Sequence, residues 1–377
     1  MKTAAIAIRQ MKRPNGSVRN VIEQSNYLKK LGYQVTIIAE SASPDLMQEA
    51  GARFVKVFRW PFKGLFRRRF FIFQVERWHR RNDVDLFVSH GDTFSDGILV
   101  IHNCVRLYSE ISGTTPSDVV TIHDEIIKRQ NYRALIVNSE IMKRDLMERY
   151  SVPENLIEVF YQGVNLETFN QKDHDSLRAR GREFIGADSD TAVLGLVTSG
   201  NLFKRNVAFF VRFAAILSKN SSRKMKFCVF GDAAAKEYRD MAEAEGIADL
   251  IEFYDPIKDV PVIFHALDLH IYPAKLEEFG RVVLEALACG VPSLVSDTVG
   301  AAELMQKDEL PYVLDNSDPE RWAQIAGELI NDEAARGSLS RSSAEFAHRY
   351  SMDAQQRAME AILDKVTQPE SSTDAPN

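Results

Sequence analysis

Along the chain, short runs of consecutive apolar residues alternate with longer segments whose apolar positions recur every three or four residues. In the first half "TAAIAI", "YQVTIIA", "VDLFVSH", "GILVIH" and "ALIVNS" read as strands, and "GSVRNVIEQSNYLKKLG" as a helix between the first two. That rhythm predicts a parallel sheet with helices on both faces.

Between Gln162 and Asp190 the periodicity lapses into Asn, Asp, Arg and Gly, which predicts an exposed connection. The rhythm restarts with "AVLGLVTSG", "MKFCVFGD", "LIEFYD", "LDLHIYPA" and "VPSLVSD", interleaved with helical patterns such as "NVAFFVRFAAILSKN". The pattern therefore predicts an N-terminal doubly wound domain over 1–168, a hinge over 169–190 and a second such domain over 191–350. A closing helix over 353–366 is expected to return to the first domain, ahead of a flexible polar tail over 367–377.

The length of 377 residues suits two domains at about 100 to 200 residues each. A formal charge of -6 argues against nucleic acid as a partner, since duplex binding needs a basic face. Cys104, Cys228 and Cys289 stand far apart with no CxxC pair, so neither a disulfide framework nor a zinc site is suggested and a cytoplasmic location is expected. No apolar run approaches a signal peptide's core or about 18 uninterrupted residues, so neither export by that route nor a membrane span is expected.

In open parallel sheets ligands bind beyond the carboxyl ends of the strands, where loops deliver helix N-termini. The stretch "LHIYPAKLEEFGRVVLEALACGVP" reads as strand, loop and a helix from about Gly280 to Gly290. Glu285 then lies roughly 7 Å along that helix at 1.5 Å per residue, with Glu277 in the loop before it. A diphosphate suits the positive end of a helix, and carboxylates accept hydrogen bonds from sugar hydroxyls, which are the two needs of a nucleotide sugar. In "TSGNLFKRNVAFF", Lys204 and Arg205 follow a strand and precede a helix, in position to clamp phosphates. Taken singly, the glutamates would be solvated and the Lys-Arg pair a surface feature.

The second half resembles family 4 of the retaining glycosyltransferases, whose Glu-x7-Glu motif is typically EGFG or EPFG followed by xxxxEAxACGxP; "EEFGRVVLEALACGVP" matches it closely. Similar matches run in order along the chain through "VNSEIMKRDL", "QGVNLETF" and "SGNLFKRN". The resemblance implies the α/β GT-B fold, two doubly wound Rossmann-like domains facing a central cleft, and glycosyl transfer from a nucleoside diphosphate sugar, UDP-sugar favoured, with retention and no metal or other cofactor. It makes Glu277, His102, Lys204 and Arg205 the catalytic group. The donor-binding set becomes Gly16, Gly200, Lys204, Arg205, Ile257, Glu277, Phe279, Gly280, Arg281, Val282 and Glu285. Within it Glu285 would meet the ribose, Glu277 the donor sugar, Lys204 and Arg205 the diphosphate, and the loop "FYDPI" the base. The loop after the first strand departs from the family's paired glycines, offering only Gly16 and then Ser17. His102 is preferred to His90 as the histidine facing the sugar; His90 reads as a satisfied core residue and His123 as helical and more remote.

The stretch Arg53 to Arg81 carries ten Lys and Arg against a single Glu76 and is full of aromatics. Such a stretch suits an anionic membrane surface, the inner face of the plasma membrane, and equally a helix with "FFIF" on the sheet and arginines in solvent. A glycan or glycolipid acceptor is implied, of the kind built into lipopolysaccharide cores or other surface glycans. Competing classes are a sugar-nucleotide 2-epimerase of the same fold and a non-catalytic nucleotide-binding relative. A dinucleotide-dependent dehydrogenase is disfavoured because no GxGxxG opens either domain.

Overall fold

The computed structural model describes residues 2–13, 16–114, 117–307, 310 and 312–367. The chain divides into one unit of Met1–Phe160 with Gln356–Asn377 and a second of Tyr161–Gln355. Of the tail expected over 367–377, residues 368–377 lie outside those described.

The first unit holds β1 (Thr3–Ala7), β2 (Gln10–Met11), β3 (Gln34–Ala39), β4 (Ser41–Ala42), β5 (Arg53–Lys56), β6 (Leu86–Ser89), β7 (Ile98–Val100), β8 (Ala134–Val137) and β9 (Ile157–Val159). Seven of these form a sheet ordered β5-β3-β1-β6-β7-β8-β9, every pair parallel, while β2 pairs with β4. Strands such as β7 and β8 are apolar throughout because helices cover both faces and every position is buried. The helix Gly16–Lys30 buries Val18, Val21, Ile22, Ser25 and Leu28, the three-to-four spacing of one helical face. Complete burial of Val21 and Leu28 contributes about 1.5–3 kcal/mol each. The closing helix Met352–Thr367 places Met359, Ile362 and Leu363 in the same core as Ile6, Val35 and Phe160.

The second unit holds β10 (Ala192–Val197), β11 (Met225–Phe230), β12 (Ile251–Tyr254), β13 (Leu269–Tyr272), β14 (Ser293–Ser296) and β15 (Val313–Leu314), a parallel sheet ordered β12-β11-β10-β13-β14-β15. The helix Val207–Lys219 is apolar almost all round because the sheet core and the helix Pro319–Asn331 enclose it. In each unit the chain winds outward from one strand and returns to its other side, at β1/β6 and at β10/β13. Such a reversal parts the loops at the carboxyl end of the sheet and opens a crevice there.

The hinge expected over 169–190 needs correction. Residues His174–Ile185 form a helix of the second unit that packs on the helix Val260–Ala266. A side chain at Gly181 would run into the Val262 carbonyl and come within 2.8 Å of the Ala266 methyl. Arg178 pairs with Asp268 at 2.6 Å, and Arg182 reaches the other oxygen of the same carboxylate at 3.4 Å. The polar residues that looked like a linker thus answer one buried-edge aspartate, and the unit boundary falls at Phe160/Tyr161 rather than after residue 168.

The basic stretch is divided between interior and surface. Within the helix Leu65–His79, Phe71, Ile72 and Val75 are buried, Arg67 pairs with buried Glu40 at 2.6 Å and Arg68 meets Asp118 at 3.0 Å. Phe58, Phe62, Phe66 and Phe73 are exposed. No helix among the described residues is long and apolar enough to cross a membrane.

Candidate active site

The loops that leave β10 and β13, the two strands at the reversal, are knitted together. The Lys275 N–H donates to the Lys204 carbonyl at 2.9 Å, the Glu277 N–H to the Thr298 carbonyl at 3.0 Å, and the Gly300 N–H to the Glu277 carbonyl at 3.0 Å. These bonds fix the backbone from which four charged side chains converge. Arg205 pairs with Glu277 at 2.7 Å, and Lys204 pairs with Glu278. Beneath them the Tyr272 hydroxyl donates to Glu277 Oε2 at 3.2 Å, with the Arg205 guanidinium 6.0 Å from its ring centre.

Burial pushes the Glu277 carboxyl above its usual range, and the neighbouring Glu278 pushes the same way, more than Arg205 and Lys204 pull it down. Burial alone would lower the Arg205 guanidinium, but Tyr272, Glu277 and Glu278 outweigh it and raise it further. Burial holds the Tyr272 phenol well above its usual value, so it stays a donor. Arg205 Nη1 stands 2.7 Å from Glu277 Oε2, while Arg205 Nε makes no hydrogen bond among the described residues.

Gly280 caps the helix Arg281–Ala288 at φ 85°. A Cβ at Gly280 would stand 2.9 Å from Val299 Cγ1 and 3.1 Å from Glu277 Cγ, so glycine is what lets the loop close on the helix. Arg281 is the first helical residue, Val282 is half-buried between two cores, and Glu285 is half-buried one turn further along. Phe279 is buried, its carbonyl taken by the Ala301 N–H at 2.7 Å. Gly200 adopts φ 136° in the exit of β10 with open space beside it, and Ile257 is half-buried after β12. Of the expected residues, the structure brings together Lys204, Arg205 and Glu277. Sequence reasoning missed Tyr272 and Glu278, the partners of that trio; the Glu-Glu doublet was the available signal for Glu278.

In the first unit His102 and His90 are not alternatives. The Asn20 amide donates to His102 Nδ1 (3.2 Å), His102 Nε2–H to His90 Nδ1 (2.8 Å) and His90 Nε2–H to Gln24 Oε1 (2.8 Å), the order in which both rings are neutral. Asn20 and Gln24 supply the two ends because they lie one turn apart on the same helix. Burial, with His123 adding to it, lowers His102 to about 4, and burial with His102 beside it lowers His90 well below its usual value. His123 is helical as expected but not remote, since it acts on His102 and lies near Gly91. Gly16, expected in a loop, is the first residue of the helix Gly16–Lys30 and has nothing within 4 Å of its Cβ position.

The chain matches two family models, "Glycosyltransferase Family 4" over residues 14–168 and "Glycosyl transferases group 1" over residues 186–346. It belongs to the family 4 glycosyltransferases. Among relatives of this glycosyltransferase is a D-inositol 3-phosphate glycosyltransferase from Corynebacterium glutamicum (strain R), 24% identical and matched over 88% of this chain and 87% of its own. Another of that name, from Salinispora tropica, is 31% identical over 61% of this chain and 50% of its own. The fold is shared with WaaG, a glycosyltransferase involved in lipopolysaccharide biosynthesis, at a TM-score of 0.80 and 15% identity over 97% of this chain and all of that one. Anabaena HepE in complex with UDP and glucose gives a TM-score of 0.76 and 15% identity over the same shares. The fold is GT-B, and the Lys204–Arg205–Glu277 cluster occupies the strand reversal of one of its two Rossmann-like units.

Proposed function

We propose that this glycosyltransferase takes its sugar from a nucleoside diphosphate donor held at the β10/β13 reversal of the second unit. It passes that sugar to a hydroxyl of a glycan or glycolipid acceptor, with retention at the anomeric carbon and without a metal ion. The observation that carries the reading is the convergence of Lys204, Arg205 and Glu277 beside the N-terminus of the helix Arg281–Ala288. Cleavage of the glycosyl–phosphate bond places negative charge on the leaving diphosphate, and Lys204, Arg205 and the helix end oppose that charge. Arg205, with its planar fork and an Nε that has no acceptor among the described residues, is the better phosphate ligand of the two cations. Glu277, fixed by Tyr272, accepts from hydroxyls of the transferred sugar, and Glu285 accepts from the ribose. His102 contributes a fixed neutral ring rather than a proton, both its nitrogens being held by Asn20 and His90. UDP is the favoured nucleotide, in keeping with the UDP complex of the HepE neighbour.

The acceptor belongs to a surface glycan such as the lipopolysaccharide core, as the WaaG likeness suggests, and the protein works at an anionic membrane face. Supporting that location, Phe66, Phe70, Phe73 and Arg77 follow one another along a single helical stripe, Trp60 packs on Phe66 at 4.9 Å, and Phe62 is 72% exposed. A thermal-shift screen over UDP, GDP, ADP, CMP and their sugars tests the donor: a ligand at a hundredfold over its dissociation constant adds about 2.7 kcal/mol. Failure of every nucleotide to stabilise the protein would overturn the reading. Sedimentation with anionic liposomes tests the location, with binding expected at low salt and weakening as salt rises. No sedimentation at low salt refutes it.

A further inference from the structure

The motif at the start of the helix typically runs EGFG or EPFG, and this chain has Glu278 where glycine or proline would stand. The side chain does not turn to solvent: Glu278 is 4% exposed and pairs with Lys204, whose own side chain is 11% exposed. The four charges at the strand reversal, Lys204, Arg205, Glu277 and Glu278, therefore sum to zero. A clamp for a diphosphate of about two negative charges would be expected to carry a positive excess.

We propose that Glu278 is a built-in competitor of the donor's phosphates: it holds Lys204 while the site is empty, is displaced by the diphosphate, and weakens the hold on donor and released nucleotide alike. The inference rests on the nucleotide-sugar reading above. A buried carboxylate beside the clamp repels each phosphate at close range in a medium of low dielectric, so its effect falls on bound anions far more than on neutral groups. Weakened binding of the leaving nucleotide speeds its departure, and product release is the step that limits turnover in many enzymes. Glu278 thus acts through Lys204 as a positioning and affinity-setting residue, apart from the bond-making groups.

A solely structural ion pair and a competitor give opposite results on removal. Glu278→Gln keeps the shape and removes the charge. Losing one partner of a buried pair lowers the stability of the ligand-free protein in either case. Only a competitor makes nucleotide binding tighter. UDP, GDP and ADP are titrated into wild type and Glu278→Gln by isothermal calorimetry, with melting temperatures of the free proteins recorded alongside. The expected result is a lower melting temperature together with a dissociation constant about tenfold smaller, equivalent to about 1.4 kcal/mol. Glu278→Gly, the motif's own residue, should tighten binding in the same direction. If wild type binds a nucleotide and neither variant binds it more tightly, the competitor role is overturned while the donor reading stands. If wild type binds none of the three, the donor reading fails and this inference falls with it.

Discussion

Removing the charge of Arg205 tests the core of the site most directly. Arg205→Met keeps most of the apolar stem and leaves Glu277 facing Tyr272 and Glu278 without its nearest cation. At 2.7 Å and an effective dielectric constant of about 20 the pair's gross attraction is about 6 kcal/mol. Desolvation of the arginine offsets part of that, and breaking a buried pair costs about 3–5 kcal/mol net. The two side chains keep 16% and 13% exposure and Lys204 stands near, so a loss of about 3 kcal/mol at pH 7.5 is expected. The assay is urea unfolding followed by Trp322, which is fully buried in the second unit. Replacing Trp60 and Trp78, the only other tryptophans, with Phe leaves that single reporter. The pH dependence carries the sign. Glu277 in the folded protein is raised above its ordinary value, so its contribution is fully favourable below about pH 4.5 and is lost as pH rises through the raised value. Without Arg205 it is raised further, so the deficit of the variant should shrink as pH falls from 7.5 to 4.0, where Glu277 is protonated in both proteins. A deficit under about 1 kcal/mol at pH 7.5, the range of an exposed pair, or one equal at both pH values, would refute the reasoning.

Three further outcomes follow from the geometry. Glu285→Ala should weaken nucleotide binding about tenfold or more by calorimetry, since it removes a hydrogen-bond acceptor from a half-buried position on the helix Arg281–Ala288; an unchanged dissociation constant would refute its ribose role. Gly181→Ala should cost the second unit about 1–3 kcal/mol by the same Trp322 transition and expose Arg178, Arg180 and Arg182 to trypsin; unchanged stability and resistance would mean that this helix is not packed. His102, lowered to about 4 from 6.5, favours the folded state above pH 6.5, and that contribution is lost as pH falls towards 4. Imidazole chemical shifts should accordingly show His102 and His90 neutral at pH 6, and protonation of either ring above pH 6 would break the donor order from Asn20 to Gln24.

The alternation of strands and helices was legible because a strand covered on both faces is a run of apolar residues, as in β8 and β10, and this is visible without any partner. The helix His174–Ile185 was not, because what makes it a buried helix is tertiary. Arg178 and Arg182 look solvated until Asp268, far along the chain, is brought against them. The same distinction divides the site. Glu277 and Lys204 lie in recognisable local motifs, whereas the pairing of Glu278 with Lys204 joins loops 74 residues apart and has no local signature. His90, His102 and Gln24 likewise form one chain only because the loops after β6 and β7 meet a helix face at the carboxyl end of the sheet.

The closing helix Met352–Thr367 supplies Met359, Ile362 and Leu363 to a core otherwise built before residue 161, so the whole second unit is an insertion in the chain of the first. The outgoing and returning segments are bonded side by side, the Val164 N–H to the Tyr350 carbonyl at 2.9 Å and the Met352 N–H to the Val164 carbonyl at 3.1 Å. During synthesis the first unit therefore emerges first yet waits longest, its apolar groove unfilled until some 200 later residues have left the ribosome. The second unit, continuous in the chain, completes itself in the interval and carries the last helix back to where it belongs.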